Sequence, residues 1–272
     1  MAILDEGRPI SGQEAAGLLG LGEEFASLPA LAPEACGQLR FLLRTERKGY
    51  LAAIAEQPPA ARLRFCLMMA GEVWEQYQMA GISEKIWLDT MSDIRIWSDK
   101  YRRETGEVGL VQTGWLAHHL TLELFRLGRL QFEPTRLEEP VPSPSGLLGP
   151  GTPALSVHIA AGEPLDHDAA LDSYGQAKTF FKNPSPVFVC YSWLLSPALP
   201  ELLPPESNIL AFQRDYALFG TDEADRQAEE RIFGAPRDDF AAYPEGTTLQ
   251  RRAKAWLLSG KKIPTGAGVL RL

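Results

Sequence analysis

Between Glu133 and Pro153 the chain reads EPTRLEEPVPSPSGLLGPGTP, so dense in proline and glycine that no regular element is expected to run through it. The stretch divides two kinds of patterning. Before it, apolar residues recur at helical spacing. After it, short β-branched and aromatic runs alternate with helical ones. It is therefore either a linker or a long loop inside a hairpin, and folded domains seldom carry so long a structureless loop unless it does something. The expected class is α+β, with a helical N-terminal domain over residues 1–125 and a domain holding a sheet flanked by helices over residues 126–272.

In the first half, Ser11 and Glu14 match a capping box. Pro58-Pro59 suits a helix start, and Cys66, Met69, Ala70, Val73, Trp74 and Tyr77 then follow at helical spacing until Gly81. Asp89 or Ser92 can open the next helix, which Gly106 closes. GWLAHHLTLELFRLG repeats the pattern, and Gly128 is its expected stop. Arg129 to Phe132 reads as extended, broken by Pro134. In the second half, Ala154–Ile159 and Pro186–Ser192 read as strands and Asn208–Phe219 as a long strand. Asp166–Phe181, Ser196–Leu203, Asp222–Phe233 and Thr247–Ser259 read as helices. No internal repeat is present.

A formal net charge of -8 gives no electrostatic footprint for nucleic acid or anionic membrane and favours cationic or neutral partners. Cys36, Cys66 and Cys190 are odd in number and far apart, which suits reduced thiols in the cytoplasm. MAILDEGRPIS lacks the long apolar core of a secretory signal, and no apolar run approaches the ~20 residues of a membrane span.

The candidate chemistry lies around VHIAAGEPLDHDAALDSYGQAKTFF, which reads as a strand, an acidic turn and a capped helix. Asp166 suits the N-cap and Asp168 the first turn. A phosphate would compete for the same positive helix end, yet Glu163, Asp166, Asp168 and Asp172 are acidic and no Lys or Arg appears from Glu163 to Ala177. The turn is either a self-capped helix start or a carboxylate site that recruits a cationic amine. His158 projects opposite to Val157 and Ile159, as a packing residue or a catalyst. His118 and His119 face different ways, and His119 with Glu123 offers two ligands at most, so no metal is expected. Cys190 sits in an apolar strand, which suits an inert thiol. Ser192 lies in no G-x-S-x-G elbow, and there is no Walker-type phosphate loop. Arg126 and Arg129, in RLGRL, either balance a helix C-terminus or clamp an anionic ligand.

IWLDTMSDIRIW, GWLAHHLTLELFRLGRLQFE, VHIAAGEPLDHDA, VCYSWLLSPAL and LPPESNILAFQRDY together resemble a bacterial acyltransferase family, in this order along most of the chain. Its members pair a helical N-terminal domain with a domain resembling the GCN5-related N-acetyltransferase (GNAT) fold. The resemblance implies a mixed sheet in which two middle strands splay apart and admit an acyl-coenzyme A thioester. In that family a turn of the form Arg/Gln-x-x-Gly-x-Gly/Ala offers backbone N–H groups to the pyrophosphate. The matching IAAGEPLDHDA lacks the leading Arg or Gln, has only Gly162, and substitutes Pro164, which has no N–H. The implied reaction moves an acyl group from acyl-CoA to a small-molecule amine or hydroxyl. The alternative is a GNAT-shaped binding or regulatory protein without catalysis.

By the same resemblance Glu163 or His158 is the base, Tyr191 or Ser192 the acid for the leaving thiolate, and a backbone N–H beside Ile159 or Ala160 the oxyanion donor. Ile159, Ala160 and Gly162 would line the cofactor turn, and Trp193 would wall an acyl chain. The helical half would complete the acceptor pocket or make a homodimer.

Overall fold

A computed structural model describes residues 8–270. Most of MAILDEGRPIS, on which the expectation of no secretory signal rests, lies outside the described residues. The chain divides into two compact units. The first runs to Leu127 and includes Ala160–Glu163; the second holds Gly128–Ile159 and continues from Pro164.

In the first unit, α1 (Gly12–Leu18), α2 (Gly22–Ser27), α3 (Pro33–Thr45), α4 (Arg47–Ala55), α5 (Pro59–Met79), α6 (Glu84–Thr105) and α7 (Thr113–Leu120) precede a short strand, β1 (Phe125–Leu127). The capping box forms: Glu14 accepts from the Ser11 N–H at 2.8 Å, and the Ser11 hydroxyl accepts from the Glu14 N–H at 3.2 Å. The predicted apolar face of α5, Cys66 through Tyr77, is buried. Trp87 of α6 meets Trp74 edge-on at 5.7 Å and donates its indole N–H to the Ala70 carbonyl at 3.1 Å.

Two helix limits differ from expectation. The cap of α6 is Ser83, six residues before Asp89, because Gly81 at φ +69 already turns the chain there. Helix α7 ends at Leu120 rather than Gly128. Leu122 adopts φ +56, and the chain continues into β1, whose three residues are all buried. A short apolar run buried on every side carries no period to tell strand from helix.

The second unit contains β2 (Leu130–Arg136), β3 (Val141–Ser143), β4 (Gly146–Leu148), β5 (Pro153–Ile159), α8 (His167–Phe180), β6 (Val187–Ser192), α9 (Leu199–Leu202), α10 (Asn208–Arg214), β7 (Tyr216–Asp222), α11 (Gln227–Phe233), α12 (Thr248–Leu258) and β8 (Thr265–Leu270). Its sheet is mixed, in the order β2-β5-β6-β8-β7. The β5–β6 pair is parallel and the others are antiparallel, so α8 is the crossover a parallel pair requires.

The proline-rich stretch is more ordered than its composition suggests. β2 runs through Pro134, which sits opposite Leu155. Only every second residue of an antiparallel strand directs its N–H at a given partner, so one proline need not end the ladder. The hairpin β3–β4 follows, and Leu137 and Val141 are buried with Val189 and Val269. Asn208–Phe219 is a capped helix, α10, followed by β7, not one strand: the Ser207 hydroxyl accepts from the Ile209 N–H at 3.2 Å. TGAG, residues 265–268, lies in β8. A Cβ on Gly266 would stand 2.0 Å from the Leu195 carbonyl oxygen, so only glycine allows that approach.

One sheet face packs an aromatic cluster against α8. Tyr174 and Phe188 lie 4.9 Å apart, Phe132 and Phe188 5.7 Å, and the Tyr174 and Tyr216 hydroxyls share a 2.7 Å hydrogen bond. Phe188→Ala is expected to cost about 3–5 kcal/mol in urea unfolding of the full chain, since the cavity it leaves is walled by rigid rings.

All three cysteines are buried and unpaired by disulfide. Burial pushes the Cys66 and Cys190 thiols up to about 12. At pH 8 about one in 10⁴ of either is thiolate, so native protein is expected to resist a thiol reagent that labels all three after denaturation. Rapid native labelling of Cys66 or Cys190 would contradict this packing.

Candidate active site

Strands β5 and β6 pair through only three positions: Ala154 with Val187, Leu155 with Phe188, and Ser156 with Val189. Beyond them, Val157–Ile159 stays in the ladder with β2, while Cys190–Ser192 stays in the ladder with β8. The two middle strands therefore diverge after Ser156 and Val189. Each remains anchored on its outer side.

Side-chain alternation sorts the candidates by face. His158 lies two residues beyond Ser156, and Tyr191 two beyond Val189, so both project to the face away from the Phe188 cluster. Glu133 sits opposite Ser156 in register and shares that face. Its carboxylate lies 3.4 Å from His158 Nε2, and both side chains are partly exposed. Glu133 was not singled out from sequence. The available signal was alternation in LQFEPTR, where Leu130 and Phe132 are buried and Gln131 and Glu133 take the other face.

Tyr191 is 55% exposed in a strand whose neighbouring residues are buried. Its ring meets Phe219 edge-on at 6.0 Å. Partial burial, then the Glu138 and Glu139 carboxylates, push its hydroxyl above the usual phenol range, so it keeps its proton at neutral pH. Ser192 takes the opposite face and is buried; its hydroxyl accepts from the Leu194 N–H at 3.2 Å. Trp193 opens the 3-10 turn Trp193–Leu195, donates its N–H to Gln227 at 2.9 Å, and packs partly buried on the α9–α12 core.

The turn after β5 is held by an ion pair and by hydrogen bonds. In the first unit, Arg126 donates to Glu163 at 3.0 Å and to Ser92 at 3.4 Å. Ala160 is buried, and Gly162 adopts φ +94, a conformation that favours glycine. Ile159, in the second unit, is half-buried. Also in the second unit, Arg129 donates from Nε to the Pro164 carbonyl at 3.0 Å, and its N–H donates to Ser173 at 2.9 Å. Neither arginine is at a helix end, since α7 stops at Leu120. Asp166 caps α8 by accepting from the Ala169 N–H at 2.8 Å. His167 Nε2 lies 2.8 Å from Asp215 Oδ2.

The other histidines are separately engaged. His119 is fully buried, 3.1 Å from Asp93, which also accepts from Trp115 at 2.8 Å. His118, rather than His119, meets Glu123, at 3.2 Å.

A cleft of about 650 Å³ opens on the face that carries Tyr191. It extends from Ser156 and Val189, the last paired residues before the strands part, across to β7 and β8.

No curated protein matches the chain. Among solved structures, it is 25% identical to an acyltransferase in complex with decanoyl-CoA and teicoplanin, covering 97% of this chain and 90% of that one at a TM-score of 0.74. A mutant acyltransferase in complex with octanoyl-CoA shares the fold at 24% identity over the same shares, with a TM-score of 0.75. An acyltransferase in complex with CoA and 10C-teicoplanin shares it at 23% identity over 100% of this chain and 91% of that one, with a TM-score of 0.75. Residues 10–122 match the N-acyltransferase N-terminal domain, and residues 124–270 match the GNAT-like C-terminal domain. The chain belongs to the GNAT-like acyltransferase family that joins these two domains.

Proposed function

We propose that this protein moves an acyl group from acyl-coenzyme A to an amine or hydroxyl of a small molecule. The observation that carries this reading is the divergence of β5 and β6 after three pairs. A gap between two anchored strands offers backbone groups to a ligand that itself carries amides, as the pantetheine arm of coenzyme A does. The structural neighbours described with decanoyl-CoA, octanoyl-CoA and CoA support acyl-CoA as donor.

His158 is the base in this reading, oriented by Glu133, and Tyr191 is the acid. The acceptor's lone pair forms the bond to the thioester carbonyl carbon and its proton passes to His158. The carbon–sulfur bond breaks, and the leaving thiolate takes the Tyr191 proton. A backbone N–H beside Ile159 or Ala160 steadies the oxyanion between these events. The turn at Gly162 borders the cofactor, and Trp193 bounds the acyl chain. Glu163 is the second candidate base, although Arg126 occupies part of its carboxylate. Ser192 is the second candidate acid.

A non-catalytic binding protein is the other reading, favoured by the α8 N-terminus. Asp166 already fills it, and Pro164 offers no N–H where a pyrophosphate would be held.

Calorimetry with decanoyl-CoA, acetyl-CoA and free CoA separates the two; binding of an acyl form is expected, and silence from all three at high micromolar concentration would remove the donor. With a responsive acceptor, His158→Gln is expected to lower turnover about 10²–10⁴-fold with the acyl-CoA affinity kept. Glu163→Gln is expected to leave turnover close to wild type. The reverse pattern would transfer the base role to Glu163.

A further inference from the structure

We infer that the solvent face of α12, with the Lys261-Lys262 link that follows it, docks an acidic carrier protein whose phosphopantetheine thioester enters the gap between β5 and β6 as a second acyl donor. The inference rests on the acyl-transfer reading and adds a macromolecular partner to it.

Position comes first. β5 and β6 are parallel, so their C-terminal ends, where they part, lie at one end of the sheet. β8 is antiparallel to β6 and pairs Gly266 with Ser192, so it starts at that same end. Lys261 and Lys262 lie between α12 and that start. Trp193, which follows β6 directly, packs on the core cluster that holds Ala253 and Leu257 of α12. Helix α12 therefore stands at the end of the sheet where the gap opens.

Charge comes second, and here it runs against the rest of the chain. From Gly246 onward there is no Asp or Glu, and five Lys or Arg fall from Arg251 to Lys262, in a chain of formal net charge -8. Lys254 pairs with Glu245 at 2.7 Å. Lys262 pairs with Glu223 at 3.3 Å, but both are well exposed and such a pair is worth little in water. Arg252 donates to the Leu202 carbonyl at 3.2 Å and Lys261 lies 4.0 Å over the Trp256 ring, and neither has a carboxylate partner among the described residues. Arg251, Ala255 and Leu258 share the solvent face at helical spacing, and Leu258 is 57% exposed. An exposed leucine among cations fits an acidic amphipathic helix. It suits lipid poorly: Trp256, the ring an interfacial helix would insert, donates its indole N–H to the Lys262 carbonyl at 2.8 Å and is covered by Lys261.

The third observation is independent of both. Arg129 holds the Pro164 carbonyl at 3.0 Å, next to Leu130, which pairs with Ile159, so the approach to α8 lies at the same end of the sheet. There Asp166 fills the helix N-terminus and Pro164 has no N–H for a phosphate. Coenzyme A brings a pyrophosphate and a nucleotide phosphate to that place; an arm on a carrier protein brings one phosphodiester. A donor held through protein contacts needs no pyrophosphate cradle.

Transfer is the same from either donor. The acceptor's nitrogen or oxygen bonds to the thioester carbonyl carbon and gives a proton to the base. The carbon–sulfur bond breaks, and the carrier's phosphopantetheine thiolate takes up a proton.

The probe is a purified acyl carrier protein, decanoylated on its phosphopantetheine and titrated calorimetrically into the full chain. Binding is expected at low salt and should weaken at high salt. K261E/K262E should weaken it about tenfold or more, while the unfolding midpoint and the affinity for decanoyl-pantetheine stay at wild-type values. A carrier whose acidic helix is reversed to lysine should bind K261E/K262E better than it binds wild type. No carrier binding at low salt and high micromolar concentration, or equal binding by wild type and K261E/K262E, would overturn the inference. So would binding to phosphatidylglycerol vesicles that K261E/K262E abolishes, with no carrier binding, which would assign the face to a membrane. Decanoyl-pantetheine, which carries no phosphate, tests the underlying reading separately. If it does not bind, acyl transfer through this gap fails whatever the carrier does; if it binds and the carrier does not, the docking face alone fails.

Discussion

The arrangement around the candidate site depends on how little β5 and β6 pair. A parallel pair buried in a sheet ordinarily satisfies its backbone through a continuous ladder. Here the ladder stops at Ser156 and Val189, and each strand leaves with the neighbour on its outer side. The opening is therefore framed by two independently paired edges. His158 projects from one edge and Tyr191 from the other, both held by strands rather than loops. Groups carried on strands keep their geometry better than groups carried on loops.

The two faces of this sheet do different work. One holds Phe132 and Phe188 against Tyr174 of α8, where every ring is buried. The other holds Glu133, Ser156, His158 and Tyr191, each of them open in part. Period-two alternation makes one implication of the other: the residues that lock the apolar face fix which residues are offered on the polar face. The hairpin β3–β4 and the bulge at Phe219 then close that face at one end and leave the cleft.

The turn between β5 and α8 shows how charge placement constrains a phosphate site. Asp166 consumes the helix end that an anion would seek, and Glu163 adds a carboxylate nearby in sequence. Arg126 answers Glu163 within the first unit, so the acidity of the turn is less one-sided than the run from Glu163 to Ala177 suggests. Arg126 is buried and Glu163 exposed, so the guanidinium keeps a need for a counter-charge that its exposed partner meets from the solvent side.

Sequence alone determined what depends on near neighbours. The Ser11 capping box, the apolar face of α5, the Asp166 cap and the strand at Val187–Ser192 follow from spacing and local hydrogen-bonding chemistry, and all are present. The order of the quoted segments also carried the family. Tertiary structure decided what depends on partners far along the chain. Phe125–Leu127 reads as the end of a helix until burial of all three residues makes it β1, and NILAFQRDYALF reads as strand until α10 packs Phe212 beside Tyr216. TGAG is a strand because it pairs with both β6 and β7, and Leu195 leaves room for nothing larger than glycine at position 266. The pairing of His158 with Glu133 needs the β2–β5 register, which spans the proline-rich segment. That register is set by which side chains reach the core, and no local propensity encodes it.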